Sequence, residues 1–215
     1  MRLSARTAIA LLARACAAAW WRALRPRPGP PPTPTPTIAA ECPAWPDTAA
    51  GTGVWQSAPT HMPRLPAIAD AHAAPLASLA LQARVLGRAD DRHGREARSA
   101  PTDLALGWGR MTEDAVLARL AITQSGRGYH DRWQGAPPLP PAQIVRSSAN
   151  MHLIPATAEV AAALAAVRPG HQVRLRGWLV RLDAPDGWHW RSSLTREDSG
   201  AGACELVYAC ALEAR

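Results

Sequence analysis

His152 is the residue around which chemistry is most readily built. It follows Met151 and stands four positions after Ser148 in the string SANMHLIPA, residues 148–156. An imidazole with a hydroxyl and a carboxylate is the equipment of a hydrolase or transferase: Ser148 as nucleophile, His152 as base, and Asp103 or Asp198 to orient the ring. Met151 beside His152 offers a soft thioether and an imidazole, a pair suited to copper or haem. Against catalysis, neither Ser147-Ser148 nor Ser192-Ser193 sits in the GxSxG frame that strains and exposes a nucleophilic serine. Against a metal, the seven His are scattered, with no HExxH pair and no CxxC. The expectation is therefore no metal and no cofactor. A second group is of a different kind: Trp178, Trp188 and Trp190 lie close in sequence to Arg176, His189 and Arg191. Aromatic faces mixed with cations can grip a glycan or a peptide, although three Trp can equally fill a core in a chain that has no Phe.

Composition removes several classes of activity. All 24 basic residues are Arg, because the chain contains no Lys. A phosphate-binding loop with its Lys, a Schiff-base Lys and a Ser-Lys hydrolase are all excluded, since each needs an amine the chain lacks. The formal charge of +7 would ordinarily invite nucleic acid. Abundant Ala, Arg, Pro and Gly without Lys or Phe reads instead as the imprint of a GC-rich coding sequence. The Arg are also not clustered as in a dedicated nucleic-acid reader, so nucleic acid is not the expected partner.

The elements that must position these residues can be read from the pattern. Leu79, Leu81, Ala83 and Val85 alternate with Ala80, Gln82 and Arg84, as in a half-buried strand. Thr112 offers a helix cap ahead of Glu113, Asp114 and the apolar Val116, Leu117 and Leu120. Gly126, Gly128 and the proline run at 137–141 mark a loop. Residues 157–167 form a second helix with Val160, Leu164 and Val167 on one face, stopped by Arg168-Pro169-Gly170. A strand over 173–182, a turn at Asp186-Gly187, a strand with Trp188, Trp190, Ser192 and Leu194 alternating, and a last strand over 203–212 complete the reading. The fold class is α+β: a small antiparallel, barrel-like sheet with two short helices, for which an oligonucleotide/oligosaccharide-binding (OB) type of barrel is conceivable.

Organisation along the chain points to the cell envelope. Residues 1–24 open with Arg2 and Arg6 and continue as an apolar run ending in Trp20-Trp21, which reads as a signal-anchor with Arg14 as its weak point. Cleavage as a signal segment is the alternative, and Cys16 lies in a poor match to a lipidation site. Residues 25–75 read as a Pro-rich linker, largely disordered, with PRPGPPPTPTPT at 26–37 as a stiff spacer. Residues 76–215 form the globular domain. Cys204 and Cys210 fall on one predicted strand about 20 Å apart at ~3.3 Å per residue, too far to pair. In an oxidising compartment, Cys42 could bridge to either one.

With DLALGWGRM (103–111), SANMHLIPA (148–156) and RSSLTREDSGAGACELV (191–207), the chain resembles an uncharacterised bacterial family of small envelope proteins, membrane-anchored or secreted. The resemblance covers roughly 76–212. It implies a shared fold and brings no catalytic residue. The expected function is a non-enzymatic, membrane-tethered domain facing the periplasm from the inner membrane, or secreted there, with an envelope protein or glycan as partner.

Overall fold

The computed structural model describes residues 42–46, 53–61, 63–198, 200 and 202–215. The anticipated anchor at 1–24, its Cys16 and the spacer at 26–37 lie outside the described residues. Among the described residues, no helix is long and apolar enough to cross a membrane. The fold is α+β, built on a large mixed sheet.

The frame is a long strand, β2 (His72–Asp90), that pairs with three others. Along residues 72–84 it pairs antiparallel with β7 (Gln172–Asp183), and along 84–90 it pairs antiparallel with β3 (Thr102–Gly107). From β3 the sheet passes to β6 (Ser148–Pro155), then to β9 (Glu205–Ala214), then to β7 and so back to β2. The hydrogen-bonded circuit β2, β3, β6, β9, β7 thus returns to its first strand. The expected all-antiparallel pairing holds everywhere except between β6 and β9, which run parallel from Met151–Glu205 to Pro155–Ala209. A parallel pair needs a crossover, and the chain supplies one through α4 (Ala158–Ala166) and β7.

Strand alternation sorts the side chains onto two sides of this circuit. Leu79, Leu81, Val85, Leu104, Leu106, Met151, Leu153, Leu175, Leu179 and Val207 form an inner core, which Val160, Leu164 and Val167 of α4 complete. The cap predicted for this helix is present, as Thr157 accepts the Val160 N–H at 3.3 Å. The outer side carries a second apolar cluster, in which Val180, Leu182, Leu206, Tyr208 and Trp178 pack under Leu65, Ala71 and the short strand β8 (His189–Arg191).

Several expectations are corrected. Order begins earlier than residue 76, since β1 (Gly53–Ser57) pairs antiparallel with β2 and Leu65 and Ala71 are buried, all within the stretch read as linker. Four short α-helices are present among the described residues where two were expected: α1 (Gly94–Ser99), α2 (Asp114–Leu117), α3 (Pro141–Arg146) and α4, with a 3-10 turn at Gly109–Thr112. Thr112 does not cap α2, because its hydroxyl donates to the Gly109 carbonyl at 2.7 Å. Most usefully, the presumed loop around Gly126 and Gly128 is a hairpin of β4 (Ala121–Ser125) and β5 (Gly128–Arg132).

Candidate functional site

Asp103 on β3 and His152 on β6 are cross-strand neighbours with both side chains on the outer face. Asp103 is fully buried and His152 nearly so. The imidazole Nδ1 lies 2.9 Å from Asp103 Oδ1 and 3.3 Å from Arg127 Nη2, which as a guanidinium nitrogen can only donate to it. Asn150, two residues before His152 and therefore on the same face, donates from Nδ2 to the other carboxylate oxygen at 3.4 Å. Together Asp103, Asn150 and His152 make a polar plate on the outside of an otherwise apolar frame.

The plate is closed from above by the β4–β5 hairpin. Its turn residues, Gly126 and Arg127, both have positive φ, 57° and 61°, as a two-residue turn of type I′ requires. Arg127 has a Cβ and so occupies the left-handed region at a cost of order 1 kcal/mol. What holds it there is visible. Its Nη2 donates to Asp103 Oδ1 at 2.7 Å and to the Ala100 carbonyl at 2.8 Å, its Nη1 lies 3.2 Å from Asp91 Oδ2, and its backbone carbonyl accepts from Asn150 Nδ2 at 3.0 Å. Gln124 on β4 donates to Asn150 Oδ1 at 2.8 Å, and Tyr129 on β5 is 3.1 Å from Ser148 Oγ. Burial pushes the Tyr129 hydroxyl up to about 12. Cys204 Sγ donates to the Arg127 carbonyl at 3.6 Å, and burial lifts its thiol to about 11, which keeps it neutral and unreactive.

This arrangement separates the residues of the anticipated catalytic set. Ser148 Oγ donates to the Ile144 carbonyl at 2.7 Å and lies four residues along β6 from His152, about 13 Å at ~3.3 Å per residue. Asp198 accepts from Ser193 Oγ at 2.5 Å and takes no part in the plate. His152 and Asp103 therefore adjoin each other with Ser148 out of reach. Met151 and His152 also part company, because adjacent strand residues face opposite sides: Met151 belongs to the inner core and His152 to the outer plate. Among the described residues, no group of three His, Cys, Asp or Glu could hold a metal ion.

The tryptophan group divides in a way that joins the two sequence-level clusters. Trp178 is buried against Tyr208 and Val180 in the outer core, with the His61 ring 6.1 Å away edge-on. Trp190, on β8, packs against His152 with ring centroids 4.9 Å apart and a 48° tilt between the rings, and receives the Arg127 guanidinium at 5.1 Å. Trp188 meets Trp190 edge-on at 6.3 Å and carries Arg95 of α1 at 4.7 Å. Both Trp188 and Trp190 are half-buried, so part of each indole faces solvent. Arg95 is clamped by Asp70 and Asp186, each at 2.6 Å, and the Arg95 guanidinium holds the Asp186 carboxyl below its usual range. Arg191 and His189 are exposed on either side of Trp190. Arg176 sits elsewhere, on β7, reaching the Pro43 carbonyl at 3.5 Å.

Sequence reasoning missed Arg95 and Arg127. Arg127 lies 24 residues from Asp103 and 25 from His152, in a chain whose Arg abundance masks any single one. The SGRG string at 125–128 was the available signal, since two residues between short alternating runs mark a tight hairpin. No family model matches the chain, and neither a curated protein nor a solved structure matches it.

Proposed function

We propose that the chain is a non-enzymatic envelope-binding domain, an OB-type barrel that takes an extended glycan across the Trp188–Trp190 ledge. Three features support the barrel type: the five-strand circuit, the parallel pairing of its third and last strands, β6 and β9, and a helix, α4, between its third and fourth strands. Barrels of this type use the connections after their first and fourth strands to bind polymers. In this chain those connections carry α1 with Arg95 and β8 with Trp188 and Trp190, and they meet at the Arg95–Asp186 and Arg95–Trp188 contacts.

The observation that carries the reading is the state of the cations on that ledge. Arg95 and Arg127 are each held by two carboxylates, which neutralises their charge and leaves Arg191, exposed beside Trp190, as a cation without a carboxylate partner among the ion pairs of the described residues. A phosphate backbone gains little from such a surface. Half-exposed indoles suit the apolar faces of sugar rings, and Asp70 and Asp186 offer acceptors for hydroxyls. The plate beneath supplies rigidity, because Trp190 is fixed by His152 and Arg127. Residues 1–24 anchor the domain, or direct its secretion, and the spacer sets it out from the membrane on the periplasmic side. A reporter active only outside the cytoplasm, fused after Arg215, tests that placement.

The binding test is calorimetric titration of the purified full chain with a soluble glycan-strand fragment. Saturable binding is expected, weakened about tenfold by Trp188→Ala with the melting temperature held. Trp188 is the informative position because Trp190 also supports the plate. Equal binding by wild type and Trp188→Ala, or binding of single-stranded DNA in place of glycan, would overturn the assignment.

A further inference from the structure

We infer that Cys42 and Cys210 are the two halves of a disulfide that clips the segment 42–46 to β9, the last strand. The sequence leaves Cys42 free to pair with either Cys204 or Cys210, and the structure distinguishes them. Cys204 lies on the far side of the domain's polar plate, engaged with the Arg127 carbonyl and Asn150. Cys210 lies close enough to Cys42 for that thiol to act on its titration.

Independent contacts hold the two segments together. Residues 42–46 lie across the outside of β7: Arg176 donates to the Pro43 carbonyl at 3.5 Å, and Arg174 covers the Trp45 ring at 4.4 Å. The same segment lines a groove with Val54–Ser57 of β1 and Ser78–Ala80 of β2. Arg176 is registered opposite Ala211, and Gly177 opposite Ala209, so Cys210 is the extra residue of a bulge in β9. Gly177 is what permits the bulge, because a Cβ there would lie 2.1 Å from the Tyr208 carbonyl oxygen. The bulge leaves the Cys210 thiol on the outer side with Leu206 and Tyr208, the side along which residues 42–46 lie.

The two sulfurs differ in access, which orders the chemistry. Cys42 is exposed and Cys210 is buried, and burial together with the Cys42 contact pushes the Cys210 thiol well above its usual range. The oxidant is a disulfide, R–S–S–R, from a small molecule or a thiol oxidase. The Cys42 thiolate attacks one sulfur, forming Cys42–S–S–R and releasing the first R–S⁻, which takes up the proton Cys42 lost. The Cys210 thiolate then attacks the Cys42 sulfur, forming Cys42–S–S–Cys210 and releasing the second R–S⁻, which takes up the proton of Cys210. The pair of thiols is oxidised by two electrons and R–S–S–R is reduced to two R–SH. Because Cys210 deprotonates reluctantly, the second step is the slower one and accelerates as pH rises.

The test uses the purified full chain with oxidised glutathione at pH 8, followed by alkylation under denaturing conditions and non-reducing peptide mapping. A linked Cys42–Cys210 peptide is expected, together with a melting temperature about 5–10 °C above the reduced protein, as for a clip that closes a long loop. Cys204→Ser should leave the link intact, and Cys210→Ser should stop the reaction at a glutathione adduct on Cys42. A wild-type chain that accumulates that adduct while Cys210 remains free to alkylate would overturn the inference, as would a link from Cys42 to Cys16 or Cys204. The oxidant is added to pure protein, so either outcome is independent of where the domain resides in the cell.

Discussion

The inner and outer faces of β3 and β6 are built from alternate residues of the same two strands, yet they are held by different physics. Inward, Leu104, Leu106, Met151 and Leu153 belong to one apolar cluster, with Glu205 as the charge registered beside Met151, and what they need is volume. Outward, Asp103, Asn150 and His152 are just as dry, and what they need is partners at the right angle, supplied by Arg127, Gln124 and Cys204. A core of the first kind tolerates exchange. A plate of the second kind depends on each member, and it explains why the chain accepts an Arg in the left-handed region at the tip of its hairpin.

That contrast can be broken in order of expected size. Arg127→Ala leaves the Asp103 carboxylate buried without its guanidinium while keeping a Cβ at positive φ. A loss of about 3–5 kcal/mol is expected in chemical denaturation, and a loss below about 1 kcal/mol would remove the plate from the account of stability. The second test concerns Glu205, the charge on the inner face of β9, paired with Arg196 at 2.5 Å and with its other oxygen buried and unpartnered. Burial, only partly offset by Arg196, raises this carboxyl from 4.5 to about 7. The folded state therefore takes up the proton more readily than the unfolded chain. Stability is fullest below pH 4.5 and declines as pH rises to about 7, by at most about 3 kcal/mol. Glu205→Gln should flatten the decline between those pH values; an unchanged profile would show the titration to belong to another group. The smallest effect belongs to the inner face proper: Met151→Leu conserves volume and should cost less than about 1.5 kcal/mol. A cost equal to that of Arg127→Ala would erase the distinction between the two faces.

How much of this was legible follows from the same contrast. β2 and β7 were readable because Gln82, Arg84, Arg174 and Arg176 keep a polar outer side and preserve alternation. Helix α4 was readable from Thr157, its apolar face and Gly170. The strand of 148–155 was not, because both of its sides are buried and period-two alternation vanishes when a second layer covers the outer face. β1 hid among prolines and depends for its existence on β2, which no local signal could show. Of the site, the Asp103–His152 pair was among the combinations considered. The sequence does not show that a strand holds Ser148 and His152 about 13 Å apart, nor that the hairpin sealing the plate arrives from a separate stretch of chain.

The parallel contact of β6 with β9 bears on how the molecule comes into being. β9 is the last strand in chain order, yet it lies in the middle of the sheet, with β6 on one flank and β7 on the other. Until it has been made, both of those edges stand open and the inner core lacks Val207, Ala209 and Leu212. Closure must therefore wait for nearly the whole domain to leave the ribosome, and the nascent chain stays slack and threadable until then. A polypeptide with that schedule becomes a rigid body only once β9 has been made.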